Sequence, residues 1–276
     1  MPFPHPSVLA ARARLAGPRL VTADGERLAY EVLPGPGGVC VVLAHGFSGS
    51  LAGSAVRRVA EALAGHATVL AYDARGHGRS TGLTTLGDRE ALDVDAAVAE
   101  ARTLAPKVVT CGFSMGRAAV VRQAALRGRA LHGHRLRHAP DAVAAVSTTA
   151  DWTTRRSASP PMRRLHRIVE SAPGRGLARC AMGTRIDPAG WRALPASPRE
   201  LAAGLAPLPL LVVHGDRDAH FPTSVARNLA AAARPAAELW IEPGFGHAEN
   251  GAGAGLLDRL GRRLAQLGAA PQQACA

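Results

Sequence analysis

Ser114 sits in the run Gly112-Phe113-Ser114-Met115-Gly116, directly after an apolar β-type run and directly before a helical pattern. A serine placed on so tight a strand-to-helix turn is lifted clear of the sheet. Its neighbours must lack bulk, which Gly112 and Gly116 satisfy, and the backbone N–H of Met115 is left facing the reacting centre. A serine hydroxyl is a weak nucleophile until a base takes its proton and an acid orients that base. Both partner types follow later in the chain, each after a strand-like run. Leu211-Val212-Val213-His214-Gly215-Asp216-Arg217-Asp218 ends on two carboxylates, and Pro243-Gly244-Phe245-Gly246-His247 sets a histidine in a glycine-rich loop. The order Ser, Asp, His at these spacings points to nucleophilic acyl chemistry. At this level both Asp216 and Asp218 stand as candidates for the acid.

The elements that must position these residues alternate regularly. Residues 19–23 and 27–33 form two short strands joined by Asp24-Gly25, a hairpin dipeptide. Val39–Ala44 is a continuous apolar run suited to a strand covered on both faces. Further strands are expected at 68–72, 107–111, 142–146, 208–213 and 237–241, with helices at about 53–64, 88–104, 115–128 and 254–267. Strand–helix–strand alternation at this spacing predicts an α/β chain, a doubly wound parallel sheet with an antiparallel start. Residues 150–205 break the rhythm. They are rich in arginine and proline and longer than one crossover needs, and we read them as a small lid inserted into a single domain spanning 1–276.

With these elements in place, five segments together resemble the serine α/β-hydrolases, in particular the monoacylglycerol-lipase and serine-aminopeptidase-like group. They are His45-Gly46-Phe47, Asp73-Ala74-Arg75-Gly76-His77-Gly78-Arg79-Ser80, the Ser114 turn, His214-Gly215-Asp216-Arg217-Asp218 with Pro222, and Gly246-His247. The resemblance implies an α/β-hydrolase fold with a mostly parallel eight-stranded sheet, helices on both faces and a small lid. It implies Ser114 as nucleophile, His247 as base and Asp218 as acid, with Asp216 at a variable turn position. The His-Gly-x segment implies the backbone N–H of Phe47 as a second oxyanion donor beside Met115. His45 and the Arg75–Ser80 loop are expected to brace the structure. Arg117 departs from the pattern, standing where a small residue is common, and bears on how tightly the following helix packs.

The implied activity is a serine esterase or lipase-like hydrolase that cleaves a small-molecule carboxylic ester through an acyl-enzyme. Acyl transfer, thioester cleavage or amide cleavage uses the same triad, and a non-catalytic binding protein is a further reading of the fold. No cofactor and no metal are expected: a dehalogenase or epoxide hydrolase would carry Asp at position 114, and no His/Cys/Glu cluster has metal-ligand spacing.

Composition bounds the rest. The chain has 276 residues, 47% hydrophobic and 20% charged, with a net charge of +12. Lys107 is the sole lysine, so the basic character is almost all arginine. The arginines are dispersed and only 4% of residues are aromatic, which argues against nucleic acid. Cys40 and Cys111 lie in apolar runs as small hydrophobes, and Cys180 and Cys275 lack an obvious partner; together with an N-terminus that lacks a leader-type apolar core, this leads us to expect the cytoplasm. No apolar run suits stable membrane insertion. Residues 150–205 carry ten arginines against four acids. Arg163, Arg164 and Arg167 share a helical face there, so transient contact with an anionic surface is expected.

Overall fold

In the computed structural model, residues 17–148, 159–191 and 193–269 are described. The N-terminal segment, Asp151, Arg155, Arg156, Arg192 and Cys275 lie outside them.

Ten strands are formed among the described residues: β1 (Arg19–Val21), β2 (Arg27–Leu33), β3 (Val39–Ala44), β4 (Thr68–Tyr72), β5 (Lys107–Phe113), β6 (Ala130–Leu131), β7 (His134–Arg135), β8 (Ala142–Val146), β9 (Leu210–Gly215) and β10 (Ala237–Glu242). Eight of them make one sheet in the order β1-β2-β4-β3-β5-β8-β9-β10. β1 and β2 are antiparallel, as are β2 and β4. From β4 onward every pairing is parallel. The antiparallel start and the eight strands match the expectation. The turn at Asp24-Gly25 closes as the dipeptide suggested, with Gly25 at φ +87°.

β3 and β8 are apolar at every position, and β4, β5 and β9 mostly so, because both faces are covered. In β3, Cys40, Val42 and Ala44 point into one core. Val39, Val41 and Leu43 point into the other. The first core is closed by α2 (Glu90–Leu104), α3 (Met115–Ala125) and α7 (Thr223–Ala232) through Val94, Val98, Val120 and Leu229. The second is closed by α1 (Ser54–Ala64) and α9 (Ala254–Ala269) through Val59, Leu63, Leu260 and Leu264. Each fully buried leucine or valine contributes about 1.5–3 kcal/mol by leaving water. Cys40 and Cys111 are buried in these layers as free thiols, while Cys180 is exposed. Burial pushes the Cys40 thiol up to about 11.

Between β8 and β9 the described chain forms α4 (Pro160–Glu170), α5 (Ala172–Met182) and α6 (Pro198–Ala202). α4 begins on two prolines, which are well suited to a helix's first turn, and buries none of its residues. Arg163, Arg164 and Arg167 are exposed on one face; Leu165, Ile168 and Val169 are half-buried on the other. A short helix α8 (Ala248–Gly251) completes the set. Two features were not expected from sequence. The arginine-rich stretch after α3 forms a small hairpin, β6–β7, and α7 fills the crossover from β9 to β10. No helix among the described residues is long and apolar enough to cross a membrane.

Candidate active site

β5 delivers Ser114 to the edge of the sheet. The residue is held at φ 49°, ψ −107°, an unfavourable conformation for a side chain with a Cβ, and its N–H donates to Val146 O at 3.0 Å. Such strain is tolerated where neighbouring contacts leave no alternative. Gly116 supplies the tightest of these: a Cβ there would stand 2.1 Å from Ala44 O. Gly116→Ala is therefore expected to destabilise the chain by about 3 kcal/mol or more. A chemical-denaturation midpoint near that of the wild type would refute this. Arg117 does not disturb the turn. α3 runs unbroken from Met115, and the Arg117 side chain is fully buried.

β9 and β10 are parallel neighbours, with Gly215 opposite Glu242. The loops that follow them therefore leave the same edge of the sheet. Their backbones nearly touch, since a Cβ on Gly215 would lie 2.0 Å from Phe245 O. This brings Asp218 under His247. His247 Nδ1–H donates to Asp218 Oδ2 at 2.7 Å, and Ser114 Oγ–H donates to His247 Nε2 at 2.9 Å. The other Asp218 oxygen accepts the backbone N–H groups of His220 at 2.8 Å and Phe221 at 3.2 Å. Burial raises the Asp218 carboxyl, but the His220 imidazole beside it, the hydrogen bond from His247 and the His220 backbone N–H outweigh it. The group is held well below the usual carboxylate range and stays ionised. Asp216 does different work. It is exposed and accepts the Gly244 N–H at 2.7 Å, tying the two loops together.

The His45–Phe47 segment passes directly beside the serine. A Cβ on Gly46 would lie 3.4 Å from Ser114 Cβ. Phe47 is the next residue, and its ring meets that of His77 edge-on with centroids 6.0 Å apart. Met115 is buried at the start of α3, where its sulfur accepts from Thr84 Oγ1 at 3.5 Å. His45 and the Arg75–Ser80 loop brace the surroundings. His45 Nε2 accepts the Ala74 N–H at 3.0 Å. Ser80 Oγ accepts the Ala29 N–H at 2.9 Å. His77 is driven down to about 3 by burial and by neighbouring His45, so it stays neutral.

Sequence reasoning gave no role to three side chains. His214 is buried beneath the acid loop, accepting the Thr148 N–H at 3.1 Å and donating to Phe221 O at 3.0 Å. Glu249, two residues beyond His247, accepts the Gly46 N–H at 2.6 Å and so ties the base's loop to the Phe47 segment. His220 stacks on His247. Glu249 and His220 lie within two residues of a triad position, a proximity signal that sequence offered without direction.

A family model described as the alpha/beta hydrolase family matches residues 41–265. The chain belongs to that family. Among solved structures this alpha/beta hydrolase is similar to the Pyrococcus furiosus esterase Pf2001, at 19% identity and TM-score 0.63, covering 92% of this chain and 93% of that one. It is similar to the alpha/beta hydrolase GrgF from Penicillium sp., at 19% identity and TM-score 0.68, covering 91% and 98%. It is also similar to the esterase RhEst1 from Rhodococcus sp., at 22% identity and TM-score 0.62, covering 91% and 99%. These likenesses speak to the fold. No curated protein matches the sequence.

Proposed function

We propose that this alpha/beta hydrolase is a serine esterase that cleaves a small carboxylic ester through an acyl-enzyme. The observation that carries the reading is the relay of hydrogen bonds from Ser114 through His247 to Asp218, at 2.9 and 2.7 Å. In this reading Ser114 Oγ attacks the ester carbonyl while His247 Nε2 takes its proton. Asp218 holds the ring with Nε2 free and stabilises the imidazolium that forms. The backbone N–H groups of Met115 and Phe47 receive the oxyanion, His247 returns the proton to the leaving alcohol, and water then releases the acid by the same steps. The esterase names of two structural neighbours agree with the ester as substrate class. No step calls on a cofactor.

Short p-nitrophenyl esters and a serine-directed covalent probe test it. Turnover and labelling are both expected, and both are expected to vanish in Ser114→Ala. Labelling that survives the substitution would place the nucleophile elsewhere.

We read residues 150–205 as a small lid inserted within one catalytic domain, with α4 and α5 as its exposed helices, while α6 packs Ala202 into the core beside α3 and α7. The exposed arginines of α4 give that lid a positive face. Hydrolysis of a negatively charged ester is expected to fall between low salt and about 0.5 M salt, where screening reaches within a few ångströms, while a neutral ester barely changes. Reversing the charge at Arg163, Arg164 and Arg167 should erase the difference. Equal salt profiles for the two esters in the wild-type chain would rule out electrostatic recruitment by the lid.

A further inference from the structure

The loop that carries Asp218 presents a second imidazole to the triad. The His220 ring stacks on His247 with centroids 4.0 Å apart and planes inclined by 30°. Its Nδ1 stands 3.6 Å from Asp218 Oδ1, beyond hydrogen-bond reach. That nitrogen is shielded from water and has no hydrogen-bond partner. A shielded imidazole nitrogen without a hydrogen-bond partner is costly, and this one faces, at ion-pair distance, the carboxylate that already serves His247.

Asp218, His220 and His247 each offer one ligand atom, and the three atoms lie within 4.8 Å of one another. Among the described residues no other three His, Cys, Asp or Glu side chains come together in this way. Donors around a tetrahedral ion with bonds of about 2.1 Å stand about 3.4 Å apart; closing the set requires the His220 ring to turn out of its stack so that its in-plane lone pair meets that of His247 on one ion. Two imidazole nitrogens and one carboxylate oxygen suit zinc and its borderline neighbours. Magnesium and calcium prefer an all-oxygen shell. The His220 side chain is 32% exposed and that of His247 17%, which leaves the ion a path from solvent.

We propose that Asp218, His220 and His247 form a binding site for a zinc-type divalent cation, and that occupancy switches the triad off. The second clause rests on the reading of Ser114 as nucleophile. The proton balance explains the switch. With Nδ1–H donated to Asp218, Nε2 of the neutral His247 ring carries the lone pair that accepts the serine proton. A cation bound at Nδ1 takes that position, and the one ring proton moves to Nε2. No proton leaves the ring, yet the nitrogen facing Ser114 is now a donor and cannot act as base.

Two measurements test the two clauses separately. Zinc chloride alone is titrated by calorimetry into Ser114→Ala protein, which keeps all three ligands. One saturable site per chain is expected. Adding His220→Phe, which keeps the stacked ring but removes the nitrogen, should weaken it by at least the roughly tenfold that losing even an outer-shell partner costs. His220→Ala should do the same. In parallel, turnover of a p-nitrophenyl ester by the wild-type chain is expected to collapse in zinc, recover on chelation and ignore magnesium. Each His220 variant, compared with its own metal-free rate, should resist zinc. Zinc affinity unchanged in both His220 variants overturns the site, and saturable binding that leaves turnover intact overturns the switch. A chain that hydrolyses no ester without metal fails the esterase reading instead, and the calorimetry still decides the site.

Discussion

Asparagine at position 218 is expected to lower kcat about 10⁴-fold with little change in KM, the loss typical when a triad acid is made an amide. The carboxylate is fully buried, receives the His247 Nδ1–H and is fixed by two backbone N–H groups. An amide can present its NH₂ to Nδ1, which then becomes an acceptor and leaves Nε2 protonated toward Ser114. The shape survives and the base is lost. Asp216→Asn provides the internal contrast. Its side chain is exposed and accepts only the Gly244 N–H, and an asparagine oxygen can accept that bond too. Its kcat should stay within a few-fold of wild type. Because triad members act as a unit, Ser114→Ala combined with Asp218→Asn should be scarcely slower than Ser114→Ala alone. Steady-state kinetics on one neutral ester check all three. Equal losses at 216 and 218 would mean that the acid has been assigned wrongly.

The second large effect concerns stability. Arg75, in the loop after β4, is 98% shielded from water, yet it carries a full charge among carboxylates. Its backbone N–H and Nε donate to the buried Asp93 carboxylate of α2, both at 2.8 Å. Its other guanidinium nitrogens donate to Asp24 of the β1–β2 turn at 2.7 and 3.0 Å. One side chain thus ties the antiparallel start of the sheet to the helix layer. Arg75→Met leaves Asp93 without a counter-charge in a water-poor setting and Asp24 with only the more distant Arg89, at 3.8 Å. It is expected to cost about 3–5 kcal/mol. Denaturant unfolding with an unchanged slope should show the shift, and a loss below about 1 kcal/mol would contradict it. The pair also sets an acid limit. Burial raises the Asp24 carboxyl, but hydrogen bonds from Arg75 and Thr22 outweigh it and hold the group at about 2 against an ordinary 3.8. The Asp24 share of stability is therefore complete above about pH 4 and fades as pH falls toward 2.

Much of this protein was legible without coordinates. Both-face burial makes β3 and β8 continuous apolar runs and β5 and β9 largely apolar ones, so their places could be read within a residue or two. The Ser114 turn announced itself because only glycines fit where a Cβ would meet Ala44 O at 2.1 Å. α7 went unread because Thr223–Ala232 has only two large apolar residues, Val225 and Leu229, in ten; its buried face is mostly alanine. The β6–β7 hairpin joins strands of two residues each, too short for alternation to register. At the site, residue types and spacing left both carboxylates open and the family resemblance favoured Asp218; which of the two lies beneath the histidine is settled by the fold. That choice follows from the parallel pairing of β9 with β10, which sends both loops off one edge with Asp218 turned inward and Asp216 outward. The same pairing stacks His220 on His247 and brings together the three side chains of the proposed cation site. No local spacing rule could find that set, because 26 residues of intervening chain separate the two histidine positions (220 and 247) without ordering them in space. Local chemistry was written in the chain. Proximity between distant loops was decided by the register of two neighbouring strands, a property of the folded sheet rather than of any one segment.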